Sequence, residues 1–269
     1  MLIAGCDQVF GLSGRDGGTD RQDGGTGGDA CILGDLDPGV VYPMPPMFTG
    51  HFDAALSADQ LELFSAAPSA KNGLEIVVSR RETTLSPWGN PTPLDRLSSM
   101  GEESDPSITE DGLVLVFYTN RNGRPGLWQV TRDNLGAEWN AGAPLSELDV
   151  NVRSAEISAD GLRLYVVDGD QSSSTLYRYH RMSRSSPFEN PMVLATGALY
   201  PSVSRDETEL FFHDEGIKRM IGDGTGGFAD PALLIPGAKD PDISFDNSTL
   251  IFTQTNSEGG FAQIRRSCQ

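Results

Sequence analysis

A five-fold internal repeat constrains this chain more than any other feature. Each copy has an apolar residue, a Ser or Thr, any residue and an Asp, with a Leu four positions after the Asp. The copies are Leu56-Ser57-Ala58-Asp59 with Leu63, Ile108-Thr109-Glu110-Asp111 with Leu115, and Ile157-Ser158-Ala159-Asp160 with Leu164. Val203-Ser204-Arg205-Asp206 with Leu210 and Ile243-Ser244-Phe245-Asp246 with Leu250 complete the set. Successive aspartates lie 52, 49, 46 and 40 residues apart. Such a period suits folds that spend one small sheet on each repeat.

The text of each copy reads as strands. The Ser-x-Asp element is a turn, because its short polar side chains can bond nearby backbone amides. Apolar runs such as Leu113 to Tyr118 follow, then polar breakers such as Asn120-Arg121-Asn122-Gly123, then alternating segments such as Leu127-Trp128-Gln129-Val130. A fourth element pairs an aromatic residue with a proline: Trp88 with Pro93, Trp139 with Pro144, Phe188 with Pro191, Phe228 with Pro231. Proline is tolerated on a free sheet edge, so this element is the outermost strand. Four-stranded units with buried first strands and proline-bearing last strands predict an all-β fold, a five-bladed β-propeller of antiparallel blades. The five turn aspartates are expected to be structural, since every copy carries one. The four aromatic residues are expected to pack between neighbouring blades.

Asp105-Pro106-Ser107-Ile108-Thr109-Glu110-Asp111-Gly112 resembles the repeats of TolB-type β-propellers, and Tyr200 to Asp206 and Asp240 to Asp246 echo it in register. The resemblance covers about residues 48 to 267. The first copy departs with Phe52-Asp53-Ala54-Ala55, and the fourth has Glu207-Thr208 where the turn glycine is expected. The fifth copy ends at Gln269 before any aromatic-proline element. An unpaired sheet edge would result, so Val40 to Tyr42 is expected to pair with Phe261 to Arg265 and close the ring. The domain division that follows is a leader and flexible Gly/Asp-rich linker over 1–38 and the propeller over 39–269.

The resemblance implies that the first strand of each blade lines a central channel. Asp53, Asp105, Ser154, Tyr200 and Asp240 open those strands, with Glu156 and Asp242 close behind. His51, Asp53, Asp105, Asp240 and Asp242 are the candidate ligand-binding residues at the channel mouth. Paired carboxylates there also invite comparison with five-bladed glycosidases, so a glycan-active enzyme or lectin stands as the alternative to a non-catalytic binding protein. No Gly-x-Ser-x-Gly, P-loop or Cys-x-x-Cys motif occurs, and His51, His180 and His213 lack zinc-ligand spacing. No catalytic residue, metal or cofactor is expected, and the protein is not read as an enzyme.

Ile3-Ala4-Gly5-Cys6 resembles the lipobox of bacterial lipoproteins, which implies Cys6 as the lipidated residue. A complete signal places a basic segment and an apolar core ahead of the lipobox, where this sequence shows Met1-Leu2. Residues 11–29 are almost devoid of apolar side chains and read as a tether. In an exported protein the remaining cysteines, Cys31 and Cys268, form a candidate disulfide; the other reading is two unpaired thiols. These readings place the protein in the bacterial cell envelope, periplasmic or extracellular, as a monomer. The chain has 20 Lys+Arg against 38 Asp+Glu, a net charge of −18. That balance opposes nucleic acid and anionic lipid surfaces as partners. No run of about 18 apolar residues exists to span a bilayer, so membrane contact is expected only through the lipid. The expected partner is a protein, peptide or glycan on a propeller face.

Overall fold

The computed structural model describes residues 33–70, 73–148, 152–170, 173–223, 226–255 and 260–268. Cys6, Cys31 and nearly all of the expected linker lie outside the described residues. Among the described residues the regular structure is strand, apart from two 3₁₀ turns at Pro46–Phe48 and Arg121–Gly123.

The repeats fold into five antiparallel sheets. Blade 1 comprises β3 (Phe52–Leu56), β4 (Glu62–Ser69), β5 (Gly73–Arg80) and β6 (Thr92–Pro93). Blade 2 comprises β7 (Glu103–Ile108), β8 (Val114–Thr119), β9 (Gly126–Thr131) and β10 (Ala143–Pro144). Blade 3 runs from β11 (Val152–Ile157) through β12 (Arg163–Asp168) and β13 (Thr175–His180) to β14 (Glu189–Thr196). Blade 4 holds β15 (Leu199–Val203), β16 (Glu209–His213), β17 (Gly216–Ile221) and β18 (Ala232–Pro236). Blade 5 holds β19 (Ala238–Ile243), β20 (Thr249–Gln254) and β21 (Phe261–Cys268). The inner strands touch in the cyclic order β3, β7, β11, β15, β19 and back to β3. The chain is a closed five-bladed propeller.

Head meets tail as the repeat count requires. Tyr42 and Pro43 (β2) pair with Gln263 and Ala262, and the Met44 amide donates to the Phe261 carbonyl at 3.0 Å. Pairing also begins upstream of the expected boundary at Gly39. Leu33–Leu36 (β1) runs along the distal half of β21, with Leu33 opposite Cys268 and Leu36 opposite Arg266. The intervening Asp37-Pro38-Gly39 turn hides this strand in a stretch of linker-like composition. Leu36 is buried in the fifth-blade core against a cluster that includes Phe211, Phe252 and Ile264.

Each Ser-x-Asp turn closes in the same way. The Ser57 hydroxyl donates to Asp59 Oδ1 at 2.6 Å, Asp59 Oδ1 accepts the Leu61 amide, and Ser57 Oγ accepts the Glu62 amide. Thr109/Asp111, Ser158/Asp160, Ser204/Asp206 and Ser244/Asp246 repeat the pattern. The next residue is left-handed in all five blades: Gln60 (φ 59°), Gly112 (68°), Gly161 (76°), Glu207 (56°) and Asn247 (59°). The absence of glycine in blade 4, as in blades 1 and 5, thus changes the residue and not the turn, at the local cost of a non-glycine at positive φ.

An arginine seven residues before the aromatic was not recognised from the sequence. Arg81, Arg132 and Arg181 stand over the rings of Trp88, Trp139 and Phe188 at 4.3, 4.5 and 4.3 Å. Their Nε atoms donate to the turn carbonyls of Gln60, Gly112 and Gly161 at 2.7 Å. Each ring packs on the preceding blade; Trp139 meets Phe64 of blade 1 with centroids 6.4 Å apart. One side chain therefore ties hairpin to aromatic and aromatic to neighbour.

Leu36→Ala removes a buried side chain from the N-terminal closing strand and is expected to lower the unfolding free energy by about 2–4 kcal/mol. Urea denaturation of the variant measures this. An unchanged midpoint would mean that the closing strand is not docked.

Candidate functional site

The inner strand of a propeller blade is paired on one side only, so its other edge faces the axis with backbone groups to satisfy. Every inner strand here carries a bulge. At four of the bulges a non-glycine residue takes a left-handed backbone: Asp53 (φ 53°), Asp105 (50°), Tyr200 (51°) and Asp240 (51°). In three of these the next residue is proline. The bulge turns two side chains per blade toward the axis, at two depths.

The deeper position is Ala55, Ser107, Glu156, Ser202 and Asp242. Its side chain accepts the inner-strand amide of the following blade. Ser107 Oγ takes the Ile157 amide at 2.9 Å, Ser202 Oγ takes Ile243 at 3.0 Å, and Asp242 Oδ2 takes Leu56 at 3.0 Å. Glu156 accepts the Val203 amide and the Ser107 hydroxyl, the latter at 2.6 Å. A polar belt thus crosses four of the five junctions, and Asp242 spans the closing one. The junction from blade 1 to blade 2 has Ala55, which bears no acceptor.

Burial pushes the Asp242 carboxyl up to about 8, and burial together with Asp242 drives Glu156 well above the ordinary range. Both line a cavity of about 10 Å³ with room for about one water. At that end of the channel Arg205 of blade 4 reaches Glu110 of blade 2 at 2.7 Å, and Phe245 lines the same space.

The shallower position is Asp53, Asp105, Ser154, Tyr200 and Asp240, which surround a second cavity of about 30 Å³ at the opposite end. Four of the five sequence candidates therefore line this mouth: Asp53, Asp105 and Asp240 at the shallower position, and Asp242 from the deeper one. Asp53 Oδ2 accepts the Asp105 amide at 3.4 Å, and Ser154 Oγ accepts the Tyr200 amide at 3.3 Å. Burial, then the charges of Asp105 and Asp240, hold Asp53 well above the ordinary carboxylate range. Burial raises Asp105 to about 7 against the opposing Ser104 hydrogen bond, with Asp240 adding to the rise. Asp240 is raised by burial and partly held down by Lys239, whose Nζ is 3.4 Å from Oδ2.

Two of the candidates have other duties. Asp242 lines both cavities, but its carboxylate is engaged in the ring closure. His51 is not in the channel: it is buried between Phe48 and Phe261, with Nδ1 2.9 Å from Ser65 Oγ. Proximity to Asp53 in sequence was misleading, because the chain turns into β3 between them. The group beside the mouth that the sequence did not single out is Lys239, whose ammonium stands 3.4 Å from Asp240 Oδ2 and 4.9 Å from the Phe52 ring centroid. Of the candidate disulfide, Cys31 lies outside the described residues, and the backbone of Cys268 ends β21 opposite Leu33.

No family model matches the chain, and no curated protein matches it. Solved structures match its fold. TolB from Acinetobacter baumannii superposes with a TM-score of 0.51 at 16% identity, covering 81% of this chain and 55% of that one. This chain thus spans about half the length of that TolB. The α-L-arabinofuranosidase of Podospora anserina gives 0.56 at 11% identity, covering 82% of this chain and 91% of the other. A gluconolactonase from Xanthomonas campestris gives 0.52 at 14%, with 87% and 91% covered. At such identities the likeness is one of fold, and the TolB-like propeller architecture implied by the repeats is the architecture found.

The raised carboxyls fix the sign of a pH dependence. Their folded pKa values exceed the unfolded value near 3.9, so between the two the native state holds more protons. Stability therefore falls as pH rises. Chemical denaturation is expected to show this loss from about pH 4 to about pH 8, bounded by Asp105 near 7 and Asp242 near 8. Asp105→Asn should flatten the slope and be the more stable protein at pH 8. A profile identical to wild type would remove Asp105 from the buried set.

Proposed function

We propose that this protein is a non-catalytic binding propeller of the bacterial cell envelope that engages a protein, peptide or glycan at the mouth formed by Asp53, Asp105, Tyr200 and Asp240. The carrying observation is a division of labour among the acids. Those at repeated turn positions bond their own hairpins, and those at the deeper channel position bond neighbouring backbones. The mouth acids are the channel carboxylates with little backbone duty, and they sit on strained backbone, where function commonly concentrates.

The competing reading is glycan hydrolysis. It draws on the Asp105 pKa of about 7, which suits a general acid, and on the shared fold with an arabinofuranosidase. Size weighs against it: the mouth cavity is about 30 Å³, whereas pockets that engulf small organic ligands are roughly 300–1,000 Å³. For the address, the Ile3-Ala4-Gly5-Cys6 text supports a lipid on Cys6, and the TolB-like fold supports an envelope setting.

Arrays of peptides and of glycans, probed with wild type and with Asp105→Asn, test the reading. Retention of one ligand class by wild type, reduced at least about tenfold in the variant, is expected, with the ligand's mass unchanged. Shortened glycan products that disappear in Asp105→Asn would replace the binding reading with the enzymatic one. Palmitate incorporation into wild type but not Cys6→Ala checks the anchor.

A further inference from the structure

We infer that the channel mouth is a receptor for a primary ammonium group, a peptide N-terminus or a lysine side chain, and that Lys239 is the resident ammonium which that ligand displaces. This rests on the binding reading above and names the chemistry its ligand must carry.

Asp240 supplies the first argument. It is 3% exposed, faces the mouth cavity, and neither carboxylate oxygen has a hydrogen-bond partner among the described residues. The Thr253 hydroxyl and the Lys239 ammonium are near enough to pull its pKa down, yet neither donates in good geometry. A buried carboxylate short of donors carries a desolvation penalty that one ion pair with Lys239 only partly offsets. A donor entering from the mouth would recover that cost.

Lys239 shows which donor the site accepts. Its Nζ lies 3.4 Å from Asp240 Oδ2 and 4.9 Å from the Phe52 ring centroid, between a carboxylate and an aromatic face. Those are the two partners an ammonium seeks. Its side chain is 30% exposed, and the lysine stem is flexible enough to swing the charge into solvent. The charged and titratable groups that interact with Lys239 or line the mouth beside it are Asp53, Asp105, Tyr200, His213 and Asp240, and Glu102, Tyr118 and Arg153 act on those groups from farther out. Acids outnumber cations among them.

Shape selects the ammonium over other cations. Among the described residues no three carboxylates, imidazoles or thiolates converge closely enough to hold a metal ion. An ammonium has three divergent N–H donors and can reach acceptors spread around a ring. The space of about 30 Å³ admits a water-sized head such as an ammonium.

Three probes test this: N-acetyl-lysine methylamide with only a side-chain ammonium, glycinamide with only an α-ammonium, and neutral N-acetylglycine methylamide. Binding is read from amide chemical shifts of Asp53, Asp105 and Asp240 during titration of the full chain. At least one ammonium probe is expected to move these amides while the neutral probe does not, and the stronger of the two identifies the source. Lys239→Ala is expected to tighten ammonium binding about tenfold by removing the competitor, and Asp240→Asn to abolish it. If Asp240→Asn does not fold, Asp53→Asn replaces it. Equal shifts from the neutral probe, weaker binding by Lys239→Ala, silence from both ammonium probes, or a response to calcium chloride alone would each overturn the inference. A ligand from the arrays that binds through the mouth without needing an ammonium would overturn it and leave the binding reading intact. Loss of mouth-dependent binding on the arrays overturns that reading instead.

Discussion

The structure depends on how a propeller satisfies the free edge of its inner strands. A strand at the axis has no further strand to pair with, and its amides cannot be left dry. Here the answer is a side chain reaching sideways from the preceding blade. Ser107, Glu156, Ser202 and Asp242 supply it, and the requirement places two carboxylates where water scarcely reaches. Their elevated pKa values follow from that placement: burial is the first cause for both, and an accepted amide only moderates it. Acidity in the channel core is thus an architectural outcome before it is a chemical one.

Repetition made the fold legible and also hid the site. The Ser-x-Asp turns recur with the same neighbours, so each copy vouched for the others and the blade count followed. The prolines marked outer strands because only an edge tolerates them. Arg81, Arg132 and Arg181 recur at a fixed offset from their aromatics and were readable in principle, but a lone arginine after a strand carries no meaning until its ring partner is known. Leu33–Leu36 escaped because a four-residue strand among Gly, Asp and Pro has no periodicity to detect.

The mouth was legible only in part. Asp53, Asp105 and Asp240 hold the same repeat position, so finding the blades was enough to bring them together. Asp242 occupies the next inward-facing position, and its separate duty depends on a contact with Leu56, 186 residues away. Lys239 is one residue from Asp240 and would ordinarily point to the opposite face of a strand. The bulge suspends that alternation, which is why its ammonium shares the mouth. His51 illustrates the opposite error, in which nearness along the chain was taken for nearness in space.

The latch between first and last strands has a consequence for how the molecule comes into being. β1 and β2 emerge from the ribosome, or from an export pore, before any blade exists, and β21 emerges last. Until β21 is free, blade 5 lacks its third strand and the circle has nothing to lock onto. Contacts spanning more than two hundred residues of intervening chain fold slowly. Blades 1 to 4 must therefore wait as an open arc with bare flanks, which makes vectorial synthesis the stage at which this protein most needs protection from sticking to its neighbours.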